Sequence, residues 1–542
     1  MKKAIALLLA LVTLLAFAAC GKQAEEGTNP AAPSQGSSTP AAPSQGSTTP
    51  ADSGNTDAQP AYVGKTLTIA CAQLPESLII QNIKNNTGTG VIMPVLYNRL
   101  FDYTEDEQLL PNIATGYSWD DETHMRITLR DDVCTASGIK VTAEDVKYSF
   151  TVGKDGVNAS NYSQIEDVIV EDELTAVIVF TAPSPTFIDS LCEESFAIVS
   201  KAGIEKDGGM ETACKKPVDC TTGPYKFYDW QEGQSITLQY NENYFNKDYV
   251  PSYEFIKYIP ISDNASRCLA VQSGDADIAC TLSLADTLGY AASNDIKVST
   301  FPTNLATVLF FNCKDGIFTN EDLRKAIAYL VDWQECAEVI AGAGAKLNEG
   351  SMPRSCSYFY DHETRTKDVA KGKELMAKAG YPDGFSFTIK TAMPQTHHTN
   401  AALLMQAQLS EYGINVNVEP LDLGIYFGSI DSGDYEAHMS NASSSFNVHM
   451  AFYDDYKTRQ ANFGGPQLSD PYLTDLVHKA SAEFDDAKRV EYTDKIQEYM
   501  IEHRVGYGIT DEVGFGLYNS TRVCNPSSDV KTLRPQFVRP VA

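Results

Sequence analysis

Phe385-Ser386-Phe387-Thr388-Ile389-Lys390-Thr391 alternates apolar with polar residues, residues 400–412 are rich in Ala, Leu and Gln, and Ile414-Asn415-Val416-Asn417-Val418 alternates again. Side chains on a strand repeat every second residue and those on a helix about every 3.6 residues, so the stretch reads as strand, helix, strand. Parallel strands cannot be joined by a tight turn and require a crossover of this kind. The segment is therefore a βαβ unit, and at least one lobe of the chain is α/β. In open α/β sheets the ligand crevice lies beyond the carboxyl ends of the strands, which places the loop 391–399 beside it.

Working outward, the same periodicities predict strands around Leu67 and Ile69 and around Ile127 and Leu129. A helix is expected over 321–331, with Thr319 as its cap and Leu323, Ile327, Leu330 and Val331 on one face. A second helix, over 368–379, is stopped by Gly380 and Pro382, a left-handed cap followed by a missing amide. Thr142 with Asp145 three residues on has the pattern of a capping box, with Val146 and Phe150 as the buried face of the helix it opens.

The N-terminus has a different character. Met1-Lys2-Lys3 is basic and residues 4–19 form an uncharged Leu/Ala run, too short to span a bilayer comfortably, so it reads as a secretory signal. Phe17-Ala18-Ala19-Cys20-Gly21 resembles a lipobox, in which Cys20 is lipid-modified and anchors the protein to a membrane from outside the cytoplasm. Residues 21–61 hold almost no large apolar side chain and duplicate the run Pro-Ala-Ala-Pro-Ser-Gln-Gly-Ser at 30–37 and 40–47, which predicts a disordered tether.

The remaining residues, 62–542, suffice for two or three lobes, since single cores seldom exceed about 250–300 residues. A net charge of -29 argues against nucleic acid, whose phosphates require clustered Lys and Arg. Of twelve Cys, lipidation of Cys20 would leave an odd number. Two accounts stay open: a disulfide framework, with Cys214 and Cys220 closing a short loop, or buried thiols packing as small hydrophobes.

Further along, motifs accumulate in a fixed order. Leu96-Tyr97-Asn98-Arg99-Leu100, Trp119-Asp120-Asp121, Leu129-Arg130-Asp131-Asp132-Val133 and the block opening Val141-Thr142-Ala143-Glu144-Asp145 form the strongest cluster. Thr222-Gly223-Pro224-Tyr225, Gly274-Asp275-Ala276-Asp277-Ile278, Phe311-Asn312, Arg324-Lys325-Ala326-Ile327 and Ala379-Gly380-Tyr381-Pro382-Asp383-Gly384 follow. In that order they resemble the extracellular solute-binding family 5 that includes the oligopeptide-, dipeptide- and nickel-binding lipoproteins of ABC importers. The resemblance implies an α/β, two-lobed, periplasmic-binding-protein-like fold of type II with an extra subdomain in the first lobe. The implied first lobe is 62–97, 216–305 and 512–542, with 98–215 inserted, and the second is 306–511. It also implies a monomer that works with permease and ATPase subunits, captures a peptide or similar small polar solute, and is not an enzyme.

Peptide-binding relatives carry in the second lobe a Trp followed three residues later by an Asp that pairs with the peptide ammonium. By simple counting those positions are Ala442 and Ser445 here. An enclosed ammonium without a carboxylate costs several kcal/mol, so a blocked peptide, an oligosaccharide or another neutral polar solute gains weight, unless Asp431, Asp454 or Asp455 moves into the gap. The resemblance points to Gln73, Leu74, Tyr426, Ser440, Asn441, Ala442, Ser443, Ser444, Ser445, Phe446 and Asn447 as ligand contacts, with core packing the competing role for Tyr426 and Phe446. His397, His398, His438 and His449 raise a nickel reading, but they lack tight ligand spacing, and neighbouring His397 and His398 on a strand or loop would point apart. No metal or cofactor is therefore expected. A peptide-sensing receptor is a second role for the same fold. A surface hydrolase is a remote one, for no Gly-x-Ser-x-Gly, His-Glu-x-x-His or P-loop pattern occurs.

Overall fold

A computed structural model describes residues 62, 64–83, 90–103, 109–157, 159–350, 352–356, 358–364, 366–393, 395–443, 468, 470–524 and 535–541. The expected signal, Cys20 and tether lie outside the described residues, as do Ser444, Ser445, Phe446, Asn447, His449, Asp454, Asp455 and the side chain of Ser443.

The strands in chain order are β1 (Thr66–Cys71), β2 (Phe101–Tyr103), β3 (Leu109–Pro111), β4 (Ala114–Asp121), β5 (His124–Leu129), β6 (Ile165–Asp172), β7 (Thr175–Phe180) and β8 (Tyr225–Gln231). They continue as β9 (Ser235–Tyr240), β10 (Phe255–Pro260), β11 (Ile278–Leu282), β12 (Ile296–Phe311), β13 (Ser386–Ala392), β14 (Asn415–Leu421), β15 (Ala437–Ser443) and β16 (Gly506–Asn519). One ten-stranded sheet has the order β14-β13-β15-β12-β16-β11-β1-β10-β9-β8.

The βαβ unit is present. β13 and β14 pair in parallel from Ser386↔Asn415 to Ala392↔Leu421, joined by the helix Thr396–Ser410. That helix buries Ala401, Ala402, Met405 and Leu409 in the core that holds Phe387, Ile389, Ile414 and Val416. Each large apolar side chain so enclosed contributes about 1.5–3 kcal/mol. The helix begins four residues earlier than the composition suggested, because the Gln395 carbonyl already accepts from the His398 amide at 3.1 Å. The expected loop 391–399 shrinks accordingly, and His397 and His398 stand on a first helical turn rather than on a loop.

The helix Glu321–Leu330 forms as expected, but Asn320 caps it, accepting from the Asp322 amide. Thr319 instead donates its hydroxyl to the Gly316 carbonyl at 2.9 Å. The Thr142–Asp145 capping box is present, with the Thr142 amide donating to Asp145 Oδ2 at 2.8 Å.

β12 and β16 are long and antiparallel, paired from Ile296↔Asn519 to Phe310↔Gly506. At one end β16 joins β11; at the other β12 joins β15, from Leu305↔Ser443 to Phe311↔Ala437. Their register shifts between Pro302 and Ala306 and again between Thr307 and Val308. Loosened pairing of two crossing strands is where a bend meets least resistance. The antiparallel sheet β4-β5-β7-β6 and the helix Ala143–Asp155 enclose a separate core around Phe150, Phe187 and Phe196.

The motifs prove to be contact points. Gly223 lies against the backbone of Leu96, where an added Cβ would stand 2.5 Å from the Leu96 carbonyl carbon. Asn98 completes the seam, its amide donating to Thr222 Oγ1 at 2.9 Å and its Nδ2 to the Thr222 carbonyl at 2.8 Å. Asp277 accepts from the Thr68 amide at 2.7 Å, which ties β11 to β1. Cys214 and Cys220 are not joined to each other, and seven of the eleven cysteines among the described residues are buried. No helix of the described residues is long and apolar enough to cross a membrane.

Candidate functional site

Side chains from four segments gather beside the first register shift of β12 and β16. Glu512 on β16 is the centre. Thr307 Oγ1 on β12 donates to Glu512 Oε1 at 2.9 Å, and Nε2 of His397 and of His398 lie 3.0 and 3.1 Å from the same oxygen. Asn441 Nδ2, on β15, donates to Glu512 Oε2 at 3.3 Å. The neighbouring backbone is closed by Thr303, whose hydroxyl donates to the Glu512 carbonyl at 2.9 Å.

Local folding explains the convergence. Asn441 and Thr307 are register partners across β15 and β12, while the early start of the helix Thr396–Ser410 aims both imidazoles toward the same strand. Asp511, next along β16, faces the other way, as the two-residue strand period requires; it binds Arg354 Nη1 at 2.9 Å and Asn348 Nδ2 at 2.8 Å.

Electrostatics follow burial. Desolvation opposes ionisation of Glu512, yet the hydrogen bonds from His397 and His398 outweigh it and hold the carboxyl well below the usual range. Burial pushes His398 down, toward the neutral ring, against the pull of Glu512. His398 is fully enclosed while His397 keeps 27% of its side-chain surface, so the cluster has an inner wall and an open side.

The residues assigned by resemblance distribute unevenly. Asn441 joins Glu512, and Ser440, buried, and Ala442, half-buried, flank it on β15. Tyr426 is 1% exposed; its hydroxyl donates to the Met439 carbonyl at 2.6 Å and lies 3.0 Å from His438 Nδ1, so its polar end is engaged within the protein. Leu74 packs against the core cluster around Leu67, Ile69 and Leu96, and Gln73 is exposed after β1. His438 belongs to the Tyr426 contact rather than to the His397–His398 pair. The expectation that neighbouring His397 and His398 point apart is corrected: on a helical first turn both rings reach one carboxylate oxygen. Glu512 was not singled out from sequence. It lies 115 residues from His397 in no motif, and the alternation of Tyr507, Ile509, Val513, Phe515 and Leu517 puts it on the opposite face of the strand, so no local pattern marks it.

Away from this cluster, the segment that holds Phe484 and Arg489 approaches β4 and the residues around Asp189. The rings of Trp119 on β4 and Phe484 are 5.3 Å apart in an edge-to-face arrangement, worth about 0.5–1.5 kcal/mol. Asp189, which accepts from the Tyr103 hydroxyl, is pushed up to about 7, by burial first and against the Tyr103 bond and the attraction of Arg489.

With this geometry in view, comparison with known proteins is informative. The family model for the middle part of bacterial extracellular solute-binding proteins, family 5, matches residues 108–464, more than half of the chain. The glutathione-binding protein GsiB of Salmonella paratyphi A is 26% identical over 345 residues, covering 63% of this chain and 66% of GsiB, so the match spans slightly under two thirds of that relative. Among solved structures, the peptide-complexed DppA of Helicobacter pylori superposes with a TM-score of 0.74 at 21% identity, covering 89% of this chain and 99% of that one. CtaP of Listeria monocytogenes gives 0.77 at 20% identity, covering 88% and 99%. NikA of Staphylococcus aureus, in complex with Ni(L-His)2, gives 0.72 at 18%, covering 88% and 100%. At these identities the solved structures establish the two-lobed fold, and the family match goes further: the chain belongs to the bacterial extracellular solute-binding proteins of family 5.

Proposed function

We propose that this chain is the solute-capturing subunit of an ABC importer, which closes two lobes on an oligopeptide or similar small polar solute and delivers it unchanged to a membrane permease driven by ATPase subunits. The observation that carries the reading is the pair β12 and β16, which crosses between the lobes through a register shift beside a polar cluster. A solute that touches both sides at once favours the closed state; one that touches a single side shifts nothing. Residues 62–97, 216–305 and 512–542 form the first lobe with 98–215 inserted, and 306–511 form the second. The chain acts as a monomer outside the cytoplasm, lipid-anchored through Cys20.

The cluster also bears on the solute. A carboxylate does stand beside Asn441, but Glu512 already accepts from Thr307 and Asn441 and faces two imidazoles. It is poorly placed to neutralise a peptide ammonium as well, which supports a solute with a neutral polar group at that end. Calorimetry with paired free and N-acetylated tri- and tetrapeptides, guided by mass spectrometry of whatever co-purifies, tests this. N-acetylation is expected to alter affinity by less than about tenfold, or ~1.4 kcal/mol. A loss of about a thousandfold, the cost of removing a buried ion pair's partner, would reverse the assignment.

A further inference from the structure

We propose that His397, His398 and Glu512 form a binding site for a divalent transition-metal ion of the Zn²⁺ class, with one coordination position left open on the His397 side. The inference goes beyond solute capture and does not depend on which solute the cleft takes.

The donor set is the first argument. Two imidazole nitrogens and one carboxylate oxygen, all within 4.8 Å of one another, converge from a helix and a strand. Zinc binds nitrogen at about 2.0–2.1 Å and oxygen at about 2.0–2.2 Å, so ligands at two corners of a tetrahedron lie about 3.3 Å apart. The Nε2-to-Oε1 separations of 3.0 and 3.1 Å differ from that by a few tenths of an ångström. An ion can enter with small side-chain rotations and no movement of backbone. Neutral imidazoles with an ionised carboxylate suit a borderline ion better than Mg²⁺ or Ca²⁺, which prefer oxygen.

Proton placement gives the second argument. While both rings donate Nε2–H to Glu512, His398 Nδ1 and Asn441 Oδ1 are buried acceptors without a hydrogen-bond partner. Buried acceptors left in that condition destabilise the form that leaves them so. The other neutral tautomer turns the Nε2 lone pair toward a metal and carries the proton on Nδ1, where the Asn441 side chain, which interacts with this ring, can accept it. Metal ligands of this kind regularly donate their second ring nitrogen to an amide or carboxylate oxygen. Without an ion these two buried acceptors stay unpaired, and a metal on Nε2 frees Nδ1 to carry a proton toward the Asn441 side chain. Thr307 Oγ1, 3.3 Å from His398 Nε2, stands ready to orient Glu512.

The third argument is access. His398 is fully enclosed and His397 is not, so three protein ligands would leave a fourth position for water or for a donor atom of a bound solute, the arrangement of an open metal site.

Calorimetric titration of the chelator-stripped, dialysed full chain with ZnCl2, and separately with NiCl2, tests the site. About one equivalent is expected to bind with micromolar or tighter affinity, and X-ray absorption at the bound metal should show nitrogen and oxygen ligands only. His397→Ala should weaken binding by at least about tenfold. This variant alters a partly exposed ring and is expected to stay folded; His478→Ala, at an exposed position on the helix Pro471–Ala482, should change nothing. Glu512→Gln should weaken binding comparably, with folding checked by circular dichroism. Absence of stoichiometric binding to the folded wild-type chain, or binding indifferent to His397→Ala, would overturn the proposal, as would sulfur ligation.

Discussion

Glu349→Leu is expected to destabilise the protein by about 3–5 kcal/mol, because it removes the partner of a buried charge. Arg504 Nη2 donates to Glu349 Oε2 at 2.6 Å, and the two side chains are 0% and 1% exposed. Arg504 sits in the left-handed conformation that ends the helix Asp486–His503, and its Nε and Nη1 already lack partners. Its guanidinium lies over the Tyr507 ring at 4.9 Å, a contact too weak to replace a carboxylate. Urea unfolding should show the midpoint fall with an unchanged slope. The double variant Glu349→Leu/Arg504→Met should recover much of the loss, since what costs most is the lone charge rather than the absence of the pair. A deficit under about 1 kcal/mol in the single variant would mean that water reaches Arg504.

Gly508→Ala is expected to be comparably damaging, at or above the upper end of the ~1–3 kcal/mol typical of overpacking. A Cβ there would stand 1.7 Å from the Gly350 carbonyl oxygen and 2.3 Å from that of Asn348. The obstacle is backbone, so no rotamer change relieves it. Gly508 pairs with Val308 directly after the second register shift of β12 and β16, and its amide donates to the Glu349 carbonyl at 3.2 Å. The substitution therefore strains the crossing strands as well as the core. Thermal unfolding and solute affinity should both deteriorate; a variant with wild-type values in both would show that the loop 348–350 yields freely.

What was legible in the sequence follows from what is local. The strand-helix-strand reading held because Phe387, Ile389, Ile414 and Val416 repeat with a strand's period and Ala401, Met405 and Leu409 with a helix's. The ordered motifs revealed the family, and the structure gives their physical content: Gly223 permits close approach to Leu96, Asn98 bonds Thr222, and Arg324 donates to the carbonyls of Phe318, His503 and Arg504. These positions brace neighbouring segments, and the contacts named for them do not involve the Glu512 cluster. That cluster was illegible because its members come from β12, the helix Thr396–Ser410, β15 and β16, and no spacing rule links them. The helix start was misplaced through polar residues 395–399, which lack apolar periodicity while still closing a turn, and with it went the geometry of His397 and His398. Tyr426 illustrates the opposite error of emphasis: its pattern fits a cleft aromatic and a core tyrosine equally, and only its 2.6 Å bond to Met439 distinguishes them.

Small-angle X-ray scattering of the purified chain, with and without the solute identified by mass spectrometry, tests the account most directly. Bending at β12 and β16 predicts a smaller radius of gyration on addition, reversal on dialysis, and recovery of the solute intact. A profile that no solute alters, together with cleavage of the added compound, would contradict it.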